Sequence, residues 1–250
     1  MKRLTSKNYW ENYYHKSVVS LDNLKIGRTY DAYWDLIFES DVKNVIEIGA
    51  FPGRYLTYVA DKYKVEPTAF DFQTDLGIIN EYFKLCNIEK YNVISADFFE
   101  YSFEKKYDLV MSIGFVEHFE NFNKVLSMQC ELVNEGGFIF IQVPNKRYLR
   151  YFFGILADSE NLKAHNLKVM DKRVFKNVLD EMGFEILALD YTGPFQFTLH
   201  NDNGKKNFRF LIYKIFRLIF KTFGLNKIVV KFPSKFWSAS IVVVGRKKFS

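Results

Sequence analysis

The stretch Asn44-Val45-Ile46-Glu47-Ile48-Gly49-Ala50-Phe51-Pro52-Gly53 decides the fold that we predict for this chain. Its first five residues form a short run, rich in β-branched side chains, that ends at a glycine, and this pattern is typical of a buried strand. Glycines at positions 49 and 53 allow the backbone to turn tightly and to approach a ligand closely. We therefore predict a first strand, a ligand-binding loop, and a helix that continues to Tyr63.

Strands and helices alternate downstream of this stretch. The sequence predicts further strands at 65–72, 91–95, 107–112, 138–143, 184–191 and 238–244, with helices at 73–86, 122–133 and 172–182 and a turn at 135–137. Such alternation is typical of a mostly parallel sheet with helices on both faces. We predict a single domain over 1–250, with an N-terminal helical cap at 1–40 and a basic amphipathic insertion at 195–235 before the last strand.

Acidic residues follow the second and third predicted strands. In open parallel sheets, ligands bind beyond the carboxyl ends of the strands, at the point where the strand order reverses. A carboxylate at Asp71 can accept hydrogen bonds from both hydroxyls of a ribose. The carboxylate of Asp97 can accept one from the exocyclic amine of an adenine, and Phe98 offers an apolar face beside it. These positions predict a nucleoside-binding site.

The loop itself discriminates between nucleoside cofactors. The dinucleotide fingerprint G-x-G-x-x-G is absent, and the observed spacing is E-x-G-x-x-x-G. A carboxylate at Glu47 would repel a pyrophosphate but would favour the ammonium group of a methionine moiety. The pattern therefore favours an adenosyl sulfonium over a phosphate-bearing cofactor.

Residues 44–145 resemble the class I S-adenosylmethionine-dependent methyltransferases, particularly the ubiquinone-type O-methyltransferase branch. The matching segments are VIEIGAFPG at 45–53, FD at 70–71, AD at 96–97, YDLV at 107–110, VEH at 116–118, LVNEGG at 132–137 and VPN at 143–145, followed by HNL at 165–167 and GF at 183–184. The resemblance implies a Rossmann-like, doubly wound α/β fold with a seven-stranded, mostly parallel sheet and an antiparallel last strand. It also implies S-adenosylmethionine as the cofactor.

The resemblance implies a set of cofactor contacts. These are expected from Glu47, Gly49, Ala50, Phe51, Gly53, Asp71, Phe72, Asp97, Phe98 and Ser112. Phe51 stands where the family more often has a small residue, so its side chain would either narrow the methionine pocket or pack on the N-terminal cap. Asp108 is expected to cap the start of a strand and to take no part in the chemistry.

The resemblance also places His118 near the transferred methyl group. With an ordinary pKa of about 6.5, a histidine suits the role of a base that takes a proton from a hydroxyl acceptor. The alternative is a residue at a helix start that satisfies local hydrogen bonds. His165 and Tyr14 are weaker candidates for substrate contacts, with loop and packing roles as their alternatives. No metal centre is expected.

Charge is concentrated near the C-terminal end. Twelve of the 35 Lys and Arg residues, but none of the 29 Asp and Glu residues, follow Asp202. On a helix, five of these cations fall within an arc of about 140°: Lys206, Arg209, Lys214, Arg217 and Lys221. The opposite side carries Phe210, Leu211, Ile212, Ile215, Leu218, Ile219 and Phe223. The pattern predicts either binding of 205–235 to an anionic membrane surface or a helix whose apolar side covers the sheet.

We predict an enzyme that methylates a hydroxyl, or an amine, of a small-molecule, sugar or lipid-linked acceptor. Nucleic acid is less favoured, because Ser112-Ile113-Gly114-Phe115 replaces the Asp-Pro-Pro-Tyr order of many base-amine methyltransferases. The basic tail keeps an RNA methyltransferase open, as well as a non-catalytic membrane-surface protein. With two cysteines, no signal peptide in residues 1–20 and no apolar run of about 18 residues, we expect a cytoplasmic protein, peripheral at the membrane if the insertion binds there.

Overall fold

The computed structural model describes residues 1–14, 19–72, 76–197 and 208–249, without the side chains of 11–14 and 209. In this part of the chain seven strands form one sheet: β1 (Asn44–Ile48), β2 (Glu66–Asp71), β3 (Asn92–Ser95), β4 (Tyr107–Ile113), β5 (Val133–Pro144), β6 (Phe184–Thr192) and β7 (Ser240–Lys247). The strand order is β3-β2-β1-β4-β5-β7-β6, and only β7 runs antiparallel to its neighbours. The predicted doubly wound sheet is therefore confirmed, with its order reversing between β1 and β4.

Eleven α-helices accompany the described strands. They are α1 (Lys7–Tyr14), α2 (Leu21–Leu24), α3 (Asp31–Phe38), α4 (Arg54–Tyr63), α5 (Gly77–Leu85), α6 (Phe122–Glu131), α7 (Leu149–Ala157), α8 (Ser159–Lys163), α9 (Lys172–Glu181), α10 (Phe208–Thr222) and α11 (Leu225–Lys231). Short 3-10 segments occupy Lys25–Tyr30 and Val116–His118. The helix predicted from residue 73 is observed from Gly77, and residues 73–75 lie outside the described part. Nothing in the sequence pattern had predicted α7 and α8.

Alternate residues of the central strands feed two hydrophobic layers, one on each face of the sheet. Val45 faces the layer that contains α3, α4 and α5, whereas Ile46 faces the layer that contains α6 and α9. On the first face, the fully buried ring of Trp34 lies 4.0 Å from that of Phe140, centroid to centroid. The predicted N-terminal cap therefore supplies part of the main core.

Asp108 holds the beginnings of the central strands together. Its Oδ2 atom accepts hydrogen bonds from the backbone N–H groups of Lys43 and Asn44, at 3.0 and 3.2 Å, and from the side chain of Asn44. Its Oδ1 atom accepts one from the side chain of Asn134 at 2.8 Å. These bonds give Asp108 the structural role that the sequence predicted.

The prediction of a turn at 135–137 is wrong. β5 begins already at Val133, and its register with β4 shifts between the pairs Tyr107–Val133 and Leu109–Phe138. Gly136 adopts the left-handed conformation, with φ +71°, inside this irregular stretch. The two glycines therefore form a bulge in a long strand, where extra residues are accommodated without ending the strand.

The C-terminal helices form a third hydrophobic cluster. α7, α10 and α11 meet around the buried side chains of Phe153, Tyr213 and Val229, together with Phe195. Most of the apolar side predicted for α10 faces outward: Leu211, Ile215, Leu218, Ile219 and Phe223 are exposed. The interpretation in which this side covers the sheet is therefore wrong for these residues.

Parts of the prediction for the insertion lie outside the described part of the chain. Lys206 is one of the undescribed residues, and the side chain of Arg209 is also outside the description. The division into a cap at 1–40 and an insertion at 195–235 stays a prediction. Among the described residues, no helix is both long enough and apolar enough to cross a bilayer.

Candidate active site

A cavity opens at the carboxyl ends of β1, β2 and β4, where the strand order reverses. The space within and in front of it, including open solvent at the mouth, is about 640 Å³. Three groups of residues line it: the loops after the strands, the 3-10 segment with His118, and the N-terminal residues. They are Gly49, Phe51, Phe70, Asp71, Phe72, Ala96, Phe98, Ile113, Gly114, Phe115, His118, Phe119, Arg3, Thr5 and Trp10.

The loop after β1 is folded down onto the end of β2. The backbone N–H groups of Gly49 and Ala50 both donate to the carbonyl of Phe70, at 2.8 and 3.1 Å. Gly49 has φ +77°, and a Cβ atom there would lie 2.6 Å from the ring of Phe115. Only glycine meets both conditions, so position 49 fixes how closely the loop approaches the cavity.

Asp71 connects this loop with the cavity. Its side chain is buried and lines the cavity, and its Oδ2 atom accepts a hydrogen bond from the backbone N–H of Phe51 at 3.0 Å. The carboxylate is therefore held at the end of β2, in the place where a ribose contact was predicted.

Three of the predicted cofactor residues in β1 and the loop after it do not line the cavity: Glu47, Ala50 and Gly53. Glu47 accepts a hydrogen bond from the backbone N–H of Leu56 at 3.1 Å, near the start of α4. Burial raises the pKa of Glu47 well above its ordinary value. Glu47 thus ties α4 to β1, and its contact with a methionine ammonium group stays a prediction.

Ser112 is another predicted contact that does not line the cavity. The residue is fully buried, and its hydroxyl donates to the side-chain oxygen of Gln129 on α6 at 2.9 Å. Neighbouring residues of a strand face opposite sides of the sheet. At the end of β4 the cavity is therefore reached by Ile113 and Gly114.

The N-terminal segment closes one side of the cavity. The backbone of Leu4 donates to the carbonyl of His118 at 2.8 Å, and Arg3 forms an isolated β-bridge with Phe119. This pairing brings Thr5 and Trp10 to the cavity wall. Tyr14 ends α1, but its side chain lies outside the described part of the chain.

Arg3 lies beside Asp97, where the exocyclic amine of an adenine was expected. Its guanidinium forms an ion pair with Asp97 at 2.6 Å and lies 5.2 Å from the ring centroid of Phe72. Burial alone would raise the pKa of Asp97, but the pairing with Arg3 lowers it. Asp97 itself does not line the cavity, whereas Phe98 does. A lone arginine near position 1 carries no motif, so no signal in the sequence pointed to Arg3.

His118 lies in the cavity wall with a fixed orientation. Its Nδ1 atom is 2.7 Å from the carbonyl oxygen of Ala164, and its ring lies edge-on to Trp10 at 4.8 Å. Because a carbonyl only accepts, Nδ1 carries the hydrogen of this bond, and the ring makes a second hydrogen bond to the backbone of Gly114. Burial lowers the pKa of His118 to about 4, so the ring is neutral at pH 7. A neutral imidazole can accept a proton, so the hydrogen bond of Nδ1 to Ala164 is compatible with a role of His118 as a base.

His165 and Glu117 lie next to His118. The ring of His165 is 4.6 Å from that of His118, and its Nδ1 atom is 2.6 Å from the carbonyl of Asn161. Burial raises the pKa of Glu117 to about 8, and its Oε1 atom is 3.7 Å from Nε2 of His118. The three potential ligand atoms lie within 4.8 Å of one another, close enough for one metal ion. The sequence predicted no metal centre, and no local pattern indicated that Glu117, His118 and His165 lie together.

Comparisons with known proteins agree with this geometry. A family model described as a methyltransferase domain matches residues 25–189. The chain is 26% identical over 144 residues to the ubiquinone biosynthesis O-methyltransferase of Hydrogenovibrio crunogenus, covering 56% of this chain and 59% of the relative. It is 25% identical over 147 residues to the (S)-coclaurine N-methyltransferase of Papaver somniferum, covering 56% and 40%. The chain thus spans about half the length of these relatives.

Solved structures show the same fold at low sequence identity. Magnesium protoporphyrin IX methyltransferase from Synechocystis PCC 6803, with bound SAH, superposes with a TM-score of 0.58 at 13% identity, covering 96% of this chain and 92% of that one. Coclaurine N-methyltransferase, bound to N-methylheliamine and SAH, gives a TM-score of 0.59 at 17% identity, covering 94% and 76%.

Proposed function

This chain belongs to the class I S-adenosylmethionine-dependent methyltransferases, and on that premise we propose that it transfers a methyl group from S-adenosylmethionine to a hydroxyl, or an amine, of an amphipathic acceptor. Membership confirms the resemblance stated from the sequence. The observation that carries the proposal is the buried carboxylate of Asp71, held by the loop after β1 in the wall of the cavity. The SAH bound to related structures supports the same choice of cofactor.

His118 is the base that we propose for a hydroxyl acceptor. The bound cofactor would supply an activated methyl group, so the protein mainly positions the acceptor and takes its proton. Orientation of this kind contributes up to about 7–11 kcal/mol. The aromatic side chains of Phe115, Phe119 and Trp10 line the cavity beside His118, and the carbonyl of Ala164 fixes the orientation of its ring through Nδ1. The proton of the acceptor would move to Nε2 as the bond to the methyl group forms.

The cluster of Glu117, His118 and His165 supports an alternative to a histidine base. One divalent cation held by the three side chains would lower the pKa of a hydroxyl acceptor bound to it. A chelator separates the two: methyl transfer that survives dialysis against EDTA favours His118 alone, whereas loss that Zn²⁺ or Mn²⁺ restores favours the cation.

We infer an amphipathic or lipid-linked acceptor from the surface of α7, α10 and α11. Large apolar side chains are exposed on all three helices, among them Phe152, Leu218 and Ile228. Exposed cations accompany them at Lys214, Arg217, Lys221, Lys227 and Lys231. An anionic membrane surface matches both features. A surface that binds the phosphates of RNA needs cations but no exposed apolar side chains. The exposed apolar residues therefore favour a membrane over RNA.

The test of the cofactor site is calorimetry with S-adenosylhomocysteine. We expect wild type to bind, and Asp71→Asn to bind at least about tenfold more weakly, because asparagine keeps an acceptor for Phe51 but removes the charge that binds the ribose hydroxyls. Asp61→Asn, an exposed position on α4, is the matched control and should bind as wild type does. Absence of binding by the wild type at millimolar concentration would reject the proposed function.

A further inference from the structure

Two basic side chains line a second cavity, between α7, α8 and α10. Lys146 follows β5 by two residues and is only 8% exposed. Arg150, in the first turn of α7, is partly buried. Both side chains line the cavity, together with Asp158, Asn161, Phe153 and Tyr213. Neither cation was singled out by the sequence, and the proposed chemistry uses neither.

Two cations, Lys146 and Arg150, but only one acid are among the described residues that line this cavity. The ammonium group of Lys146 makes no hydrogen bond or ion pair within the described ranges, and Arg150 donates to the carbonyl of Ala239 at 2.7 Å. Asp158 is the one acid among the described lining residues, and its Oδ2 atom accepts a hydrogen bond from Asn161 at 2.9 Å. A buried ammonium without a partner costs several kcal/mol, so a chain that keeps one commonly uses it to bind an anion.

The cavity adjoins both the proposed base and the exposed helices. Asn161, which lines this cavity, holds Nδ1 of His165 through its backbone carbonyl at 2.6 Å, and the ring of His165 lies 4.6 Å from that of His118. Phe153 and Tyr213 line the cavity and also form the cluster that joins α7 to α10, the helices with exposed apolar side chains. A ligand bound here would therefore meet a cationic cavity, the base and an apolar surface.

We propose that the cavity of Lys146 and Arg150 binds a phosphate or carboxylate group, and that this group belongs to the acceptor, which is an anionic amphiphile. The binding of an anion stands on the cavity alone, whereas its assignment to the acceptor rests on the proposed function. A lipid headgroup and a soluble phosphorylated molecule share this chemistry.

The protonation of Lys146 agrees with an anion site. Burial and the nearby Arg150 lower the pKa of Lys146 to about 8. The lysine therefore remains largely charged at pH 7 although it is buried. An anion between the two cations would replace their repulsion by attraction to a shared partner.

The experiment measures anion binding to the full chain at constant ionic strength. One arm titrates inorganic phosphate by calorimetry, and the other sediments the protein with phosphatidylcholine vesicles with or without phosphatidic acid. We expect wild type to bind in at least one arm, and Lys146→Met and Arg150→Met to bind at least about tenfold more weakly. Lys163→Met, an exposed lysine on α8, is the control and should bind as wild type does. Binding of both probes indicates a soluble anionic group, and binding of the vesicles alone indicates a lipid headgroup.

Thermal unfolding of the ligand-free variants separates binding from a structural role. Lys146→Met should raise the Tm, because it removes an unpaired buried cation. Lys146→Arg, which keeps the charge, should retain anion binding within a few-fold and covers the case in which the methionine variant does not fold. Equal affinity of wild type and Lys146→Met, or no binding by wild type in either arm, would overturn the proposal. S-adenosylhomocysteine binding, measured on the same samples, tests the proposed function separately.

Discussion

The cavity at the carboxyl ends of the strands and the surface of α7, α10 and α11 are organised in opposite ways. Around the cavity, polar side chains are held by partners within the chain, as Asp71 is by Phe51 and Asp97 by Arg3. On the helices, large apolar side chains such as Leu218 face outward. The first arrangement is typical of a preorganised binding site, whereas the second is typical of a surface that contacts another molecule.

Replacement of the proposed base His118 tests the preorganised cavity, and we expect it to have the largest effect on activity. We expect His118→Gln to lower kcat by about 10²- to 10⁴-fold and to leave the affinity for S-adenosylhomocysteine within about twofold. Transfer of a labelled methyl group from S-adenosylmethionine to a lipid extract measures the first quantity, and calorimetry the second. Lys163→Met serves as the control. An unchanged kcat for His118→Gln would remove this residue from the chemistry.

Removal of charge from α10 tests the exposed surface of α7, α10 and α11. Each cation near an anionic membrane contributes about 1 kcal/mol, so joint replacement of Lys214, Arg217 and Lys221 by Gln should weaken binding by about 3 kcal/mol, or about 150-fold, at low salt. Sedimentation with phosphatidylglycerol-containing vesicles measures this change. A variant with Gln at Lys43, Lys64 and Lys84 has the same net charge and should bind as wild type does. Equal recovery of the two triple variants would contradict a membrane surface on α10.

Replacement of Asp108 tests whether the hydrogen bonds at the beginnings of the central strands stabilise the sheet that carries the first cavity. Asp108→Ala leaves backbone N–H groups of Lys43 and Asn44 without this acceptor, so we expect the free energy of unfolding to fall by about 2 kcal/mol. The affinity of the folded variant for S-adenosylhomocysteine should not change. Urea denaturation gives the first value. Asp41→Ala, which removes an exposed ion pair, should change stability by less than about 0.5 kcal/mol. A similar loss in both variants would contradict this role.

The pH dependence of anion binding tests the cavity of Lys146 and Arg150, which lies next to the exposed helices. Lys146 binds an anion when it is protonated, and its pKa of about 8 places the loss of charge between pH 7 and 9. We expect sulfate, whose own charge is constant there, to bind about tenfold more weakly at pH 9 than at pH 7. Burial lowers the pKa of Arg150 to about 10, so Arg150 loses only a small part of its charge by pH 9, and deprotonation of Glu117, whose pKa is about 8, acts in the same direction. Lys146→Arg should remove the larger part of this dependence; an equal dependence in both proteins would contradict the assignment to Lys146.

The sequence was most informative where function and fold depend on neighbouring residues. The strand over 44–48, its glycine loop and the acid at the end of β2 were predictable because each rests on a local pattern. The position of the Ser112 side chain could not be predicted in this way: it bonds to Gln129 on α6, and its neighbour Ile113 lines the cavity instead. The pair of Arg3 with Asp97 joins residues far apart in the chain, and no local pattern contains such a contact.

The place of β7 in the sheet has a consequence for folding. β6 pairs only with β7 among the described strands, and β7 fills the gap between β5 and β6. β6 therefore joins the sheet only after the chain has returned from α10 and α11. Closing such an excursion costs free energy that grows only with the logarithm of its length. Insertions or deletions between Thr192 and Ser240 should be tolerated by the sheet, so α10 and α11 can change in length while the strands and the loops around the first cavity keep their shape.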